Sequence, residues 1–193
     1  MRYSVKNICG KLIRLSGKSL FLVLTIAALL CSGCSTQKQA ATPAKAVPSL
    51  TMFSADDYID RQNMSDTQIA LIREICTWQG TPYEFGGSDK GKGADCSGLI
   101  LKVFLDITEV KLPRNSAEQA EFCKHIKQSH VKPCDLVFFA TGSDREKVSH
   151  VGLVLNTDLF IHSSSSKGVI ITRLDNPWWH ERLIGFGRVP HLN

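Results

Sequence analysis

The sequence predicts an α+β fold, with N-terminal helices packed on an antiparallel sheet. Three observations carry this expectation. Apolar residues recur at helical spacing up to about residue 126. After Pro133 the pattern changes to short apolar runs separated by turn residues. Helices first and strands second is the order of a segregated α+β domain, not of alternating βαβ units.

Taken in order, the elements begin near Ser65. Ser65 followed by Gln68 forms a capping box, and Ile69, Ile72, Ile75 and Cys76 recur at helical spacing, so a helix is expected over 66–78. Gly80, Pro82, Gly86, Gly87, Gly91 and Gly93 then require a loop. A second helix is expected from Cys96, with Leu99, Ile100, Val103 and Phe104 on its buried face. Pro113 and Asn115 precede a third, amphipathic helix expected over 116–126. Strands are expected at 136–140, 148–155, 159–162, 169–172 and 184–189. Such a sheet should pack one face on the helices.

The chain has 193 residues, enough for one ordinary domain behind a leader. Arg2, Lys6, Lys11, Arg14 and Lys18 precede an apolar run from Leu20 to Leu30, and no acidic residue occurs before Asp56. These eleven residues, with Thr25 the one polar position, are too few for a bilayer span of roughly 20 residues but suit the core of an export signal. Small residues before Cys34 resemble a bacterial lipobox, although Cys31 stands where that pattern prefers Leu. Residues 1–33 therefore read as a lipoprotein signal peptide and Cys34 as the lipidated residue. Residues 34–64 read as anchor and flexible tether, rich in Ala, Pro, Ser, Thr and Lys. Residues 65–193 read as the folded domain. Without the five leader cations, the remaining 18 Lys and Arg balance 18 Asp and Glu, so composition gives no support for a nucleic-acid partner.

The chemistry points to Cys96. It lies in Asp95-Cys96-Ser97-Gly98, at the start of an apolar helix. A helix N-terminus carries unpaired N–H groups and partial positive charge, which favour a thiolate. His150 and His162 lie on two strand-like runs joined by Asn156-Thr157-Asp158. A three-residue hairpin loop closed by Leu155 and Leu159 puts Gly152 opposite His162. His150 is then diagonal to His162 on the same face. A two-residue loop would put the two on opposite faces. A cysteine at a helix start with histidines on strands is the layout of a papain-like thiol hydrolase.

Other residues carry further readings. Asp95 and Ser97 flank the nucleophile and, on their own chemistry, suit N-terminal helix capping. Arg114 could hold a substrate carboxylate or form a surface salt bridge. Trp178 and Trp179 could line a rim, though packing under the last strand is the expected role. Cys76 suits a buried position, and a Cys123–Cys134 disulfide is possible. Cys123, His125, His130 and Cys134 do not match a structural zinc spacing, so neither metal nor cofactor is expected.

Several short motifs occur together: Pro82-Tyr83-Glu84-Phe85-Gly86-Gly87, Asp95-Cys96-Ser97-Gly98, Leu112-Pro113-Arg114, Asp135-Leu136-Val137-Phe138-Phe139, Ser149-His150-Val151-Gly152 and Ile161-His162-Ser163. In this order they resemble the NlpC/P60 family of cell-wall cysteine peptidases, in its short lipoprotein form. The resemblance covers about residues 78–189 and implies a papain-like fold. It implies Cys96 as nucleophile, His150 as base, His162 as third polar residue and Tyr83 as a neighbour of the thiol. It implies Asp95 and Ser97 as positions that bind a substrate amine; Arg114 joins them as a candidate substrate-binding residue through the carboxylate reading above. The family usually has Gly before Asp135 where this chain has Cys134, so the turn geometry there is in question. The implied partner is the peptide stem of peptidoglycan. Cleavage of the D-Ala–diaminopimelate crosslink is the first expectation and of the γ-D-glutamyl–diaminopimelate bond the second. A monomer anchored by lipid at the periplasmic face of the outer membrane is the expected setting. A lipoprotein that binds the wall without cleaving it is the rival from another class.

Overall fold

The computed structural model describes residues 53–190, so the leader, Cys34 and most of the tether lie outside the described residues. Packed structure begins upstream of Ser65. A 3-10 turn at Ala55–Tyr58 is capped by Ser54 and buries Tyr58 in the main core. Phe53 and Gln79 exchange two hydrogen bonds, of 3.3 and 2.9 Å, tying this turn to the end of the first helix.

Helix α1 spans Asp66–Cys76. The Ser65–Gln68 capping box forms in both directions, and Leu71, Ile72, Ile75 and Cys76 face inward. The glycine-rich stretch holds a minimal two-strand ladder, β1 (Ser88–Asp89) against β2 (Gly93–Ala94). Helix α2 spans Cys96–Thr108 and ends at Glu109, which takes the left-handed conformation. Helix α3 spans Ser116–Phe122 and stops four residues earlier than its amphipathic pattern predicts. Residues Lys124–Ile126 instead form β3, an edge strand paired with residues Phe186–Arg188. The alternation that looked helical there is satisfied equally by a strand whose Ile126 turns inward.

The remaining strands are β4 (Leu136–Phe139), β5 (His150–Val154), β6 (Leu159–Ser164), β7 (Gly168–Arg173) and β8 (Leu183–Arg188). The short helix α4, Pro177–His180, links β7 to β8. The six-stranded sheet is antiparallel throughout, in the order β3-β8-β4-β5-β6-β7. The fold is α+β, as the element order predicts.

One face of the sheet packs on the helices. Leu136, Phe138, Val151, Leu153 and Ile161 meet Leu99, Ile100, Val103 and Phe104 of α2 and the buried face of α1. Burying each such aliphatic side chain stabilises the fold by about 1.5–3 kcal/mol. The opposite face is not simply solvated, as one-sided packing would require. Val137, Phe139, Val154, Phe160 and Phe186 form a second apolar cluster there, with Trp179 of α4 packed against it. The central strands β4 and β5 are therefore buried on both faces.

Candidate active site

The β5–β6 hairpin has the register expected from its three-residue loop. Val154 pairs with Phe160 and Leu153 with Ile161, closed by a Leu155 N–H to Leu159 carbonyl bond of 2.9 Å. Val151 and Leu153 then point to the helices, and His150 points to the other face. His162 lies two residues after Phe160 and shares that face. The two imidazoles meet there, with His150 Nε2 2.9 Å from His162 Nδ1. Gly152 makes this possible: a Cβ at this position would lie 2.6 Å from the Phe160 ring and 3.2 Å from His162 Cβ.

Both histidines are almost fully buried, at 8% and 1% exposure. Burial lowers the His150 pKa to about 4, and burial together with His150 holds His162 well below its ordinary value. Both rings are thus neutral at pH 7. His162 Nε2 lies 3.0 Å from the Thr172 hydroxyl on β7. If Thr172 accepts a proton from Nε2–H, His162 Nδ1 must accept from His150 Nε2–H. His150 Nδ1 is then left with a free lone pair. This chain of two hydrogen bonds is the one arrangement of the neutral rings that leaves His150 with an acceptor nitrogen not used by His162.

Cys96 is the first residue of α2 and lines the same cleft as Tyr83, His150, His162 and Thr172. The cleft has a volume of about 460 Å³. Burial raises the Cys96 thiol pKa, and the nearby Asp95 carboxylate raises it further. The N–H groups of Val151, Ser97 and Cys96 itself oppose this at the sulfur. The helix end alone therefore does not hold a free thiolate, contrary to the expectation from sequence. Burial thus favours the uncharged forms of both groups, thiol and neutral imidazole. The same N–H groups at the start of α2 are placed to stabilise developing negative charge. Burial raises the pKa of the Tyr83 phenol, as do Cys96 and Asp95, so at neutral pH it is a donor beside the sulfur.

Asp95 organises the loop behind the nucleophile. As N-cap of α2 it accepts from Gly98 N–H at 2.7 Å and Ser97 Oγ at 3.1 Å, and it accepts from Gly86 N–H at 2.9 Å. Arg114 grips it with both arms, at 3.0 and 2.8 Å, and reaches Ser97 Oγ at 3.1 Å. Burial tends to raise the Asp95 pKa, but these bonds outweigh burial and hold it below the usual carboxylate range. Arg114 is therefore already committed to a carboxylate within the chain. Gly98 permits the close approach of this loop, since a Cβ there would meet the Gly87 carbonyl at 2.1 Å.

Two residues at the site carry no strong sequence signal. Thr172 sits on a strand whose partner register had to be known first. Trp179 packs against both histidines, with ring centroids 5.1 Å from His150 and 4.7 Å from His162, and against Phe139 and Phe160. Its place is over the histidine face rather than under the last strand. Trp178 is about half exposed at the rim, and the Arg182 guanidinium stacks 4.0 Å over its ring.

The other described cysteines sit away from the cleft. Cys76, Cys123 and Cys134 are buried free thiols, and Cys123 and Cys134 form no disulfide. Cys134 takes φ +71, so the turn keeps the left-handed backbone suited to Gly and tolerates a side chain there. Its Sγ points at the Gln68 carbonyl, 3.5 Å away. His125 and His130 line a separate, basic surface with Lys124, Lys127 and Lys132. Among the described residues no three His, Cys, Asp or Glu side chains converge as metal ligands.

The chain is similar to known proteins over nearly all of its folded part. A probable endopeptidase NlpC of Escherichia coli (strain K12) is 35% identical over 161 residues, which cover 83% of this chain and 94% of the relative. The murein DD-endopeptidase MepS/murein LD-carboxypeptidase of the same strain is 34% identical over 164 residues, 82% of this chain and 85% of the relative. A solved Staphylococcus aureus structure, described as similar to lipoprotein in the NLP/P60 family, superposes with a TM-score of 0.59 at 29% identity. It covers 74% of this chain, which in turn spans 45% of that longer one. The NlpC/P60 family model matches residues 80–188, from the loop before Tyr83 to the end of β8. On the strength of that match and those relatives, this chain belongs to the NlpC/P60 family.

Proposed function

We propose that this protein is a cysteine-dependent peptidoglycan peptidase. The observation that carries the reading is the hydrogen-bonded His150–His162 pair in one cleft with Cys96 at a helix N-terminus. In this mechanism His150 Nδ1 takes the thiol proton as Cys96 Sγ attacks a peptide carbonyl. The tetrahedral oxyanion is held by N–H groups at the start of α2 and by the Tyr83 hydroxyl. His150 then protonates the leaving amine, and the C–N bond breaks to leave an acyl-enzyme. Water, deprotonated by His150, attacks the acyl carbon and releases Cys96. His162, held by Thr172, orients His150 throughout. Asp95, Ser97 and Arg114 shape the loop behind the sulfur, and any contact they make with substrate is made from that locked arrangement.

The bond we assign is the D-Ala–diaminopimelate crosslink, the kind of bond implied by the name of the murein DD-endopeptidase relative. The γ-D-glutamyl–diaminopimelate bond is the second assignment. We place the enzyme as a monomer on a lipid anchor at Cys34, at the periplasmic face of the outer membrane. Digestion of purified crosslinked muropeptides, read by mass spectrometry, tests the function. Crosslinked dimers should fall to monomers with wild type and stay intact with Cys96→Ser. Intact dimers with wild type, alongside binding to the wall, would favour the non-catalytic alternative.

A further inference from the structure

Among the described residues, Lys167 is the one formally charged side chain that lines the cleft. It stands at the tip of the β6–β7 hairpin, directly after Ser164, Ser165 and Ser166, all of which face the same cleft. Lys167 is exposed and makes no ion pair among the described residues, whereas Arg114 is spent on Asp95. An ammonium beside three hydroxyls is a donor-rich corner with no carboxylate of its own.

The corner is also held still. Gly168, at φ +70, lets the hairpin tip close onto the loop before Tyr83; a Cβ there would strike the Thr81 carbonyl at 2.3 Å. Val169 N–H donates to Thr81 at 2.8 Å, and Gly80 N–H donates back to Val169 at 2.9 Å. Ser163 Oγ donates to the Ala94 carbonyl, two residues before the nucleophile, at 2.7 Å. The tip is thus pinned to the segment that carries Tyr83 and Cys96, so a group bound there would be placed relative to the sulfur.

We propose that the Ser164–Lys167 tip is a subsite for a free carboxylate of the peptide substrate, with Lys167 as its ionic partner. The assignment rests on the peptidase reading and names the substrate class: peptides that present an unamidated carboxylate beside the scissile bond. Stem peptides offer that group from two sources, the C-terminal D-Ala and the diaminopimelate side chain.

Binding can be measured without turnover by using the Cys96→Ser protein. Calorimetry would compare one stem peptide as its free acid, as its C-terminal amide, and as the amide of its diaminopimelate carboxyl. The free acid should bind about tenfold more tightly than one of the two amides, which identifies the source of the carboxylate. In Cys96→Ser/Lys167→Ala that preference should collapse to within about twofold, and Lys167→Arg should restore most of it. Equal binding of acid and both amides, no binding of the acid, or a preference that survives Lys167→Ala would each overturn the subsite. Cleavage by the intact enzyme is read separately. Cleavage without acid preference removes the subsite and leaves the peptidase; acid preference without cleavage does the reverse.

Discussion

Replacing Arg114 by Ala tests whether the loop behind Cys96 is a preformed structural unit. The substitution removes a bidentate pair to Asp95 and a bond to Ser97 Oγ. Breaking a fully buried ion pair costs about 3–5 kcal/mol. Two features reduce that figure here. The Arg114 side chain is 44% exposed, so solvent already screens it. Asp95 also keeps its bonds from Gly98, Gly86 and Ser97. The expected loss is about 1–2 kcal/mol, or a fall in Tm of roughly 3–6 °C for a domain of this size. The pH dependence has a definite sign. Asp95 is held below its unfolded pKa, so its contribution is complete above the ordinary carboxylate range, near pH 4, and is lost as pH falls through the lowered value. The difference in Tm between wild type and Arg114→Ala should therefore be full at pH 7 and shrink in acid. Thermal melts at pH 7 and below pH 4 measure both. An Arg114→Ala Tm within 1 °C of wild type at pH 7 would refute this reasoning and free Arg114 for a direct role with substrate.

The relay should show a ranking in kcat: wild type, then His162→Asn, then His162→Ala, then His150→Ala, with Thr172→Val below Thr172→Ser at unchanged Tm. A fully active His162→Ala would reduce the site to a Cys–His pair. Because burial lowers the His150 pKa, the acid limb of the rate profile should lie near pH 4; Trp179→Ala should expose the rings and move that limb up toward 6.5, and an unmoved limb would deny Trp179 its role. Folded His150 resists protonation that the unfolded chain accepts, so wild-type stability should fall as pH drops from about 6.5 to 4, and a flat Tm over that window would contradict its burial. Iodoacetamide at pH 8 should label Cys96 at least tenfold faster than Cys76, whose thiol is raised to about 11 by burial, and equal rates would remove Cys96 as nucleophile.

Much of this arrangement is legible in the amino-acid order, because it depends on local rules. Ser65 and Gln68 announce the start of α1, and a three-residue loop dictates the side on which His150 and His162 meet. What escapes the sequence depends on distant partners. β3 forms because β8 lies beside it, not because of anything in Lys124-His125-Ile126 alone. Arg114 reads equally as a substrate contact or as half of a surface salt bridge until Asp95, nineteen positions away, is seen to hold it. Trp179 gives no sign in its own turn that it covers the histidines. The thiol pKa fails for a related reason: the helix terminus is a local feature, whereas the burial that opposes it comes from the whole domain.

The cysteine inventory has a consequence for chemical damage. Cys76, Cys123 and Cys134 are buried, with thiols pushed up by burial to about 11, to about 12 and higher still. None of the three lines the cleft, so none is placed to serve as a resolving partner for an oxidised Cys96. A peroxide that reaches the cleft would convert Cys96 to a sulfenic acid with no second described thiol to capture it as a disulfide. With no partner among the described thiols, recovery calls for a thiol from outside the described domain, and without one oxidation proceeds to the irreversible sulfinic form. The same seclusion protects the fold: an oxidant confined to the cleft meets Cys96 and leaves the described core thiols, and hence their packing, untouched.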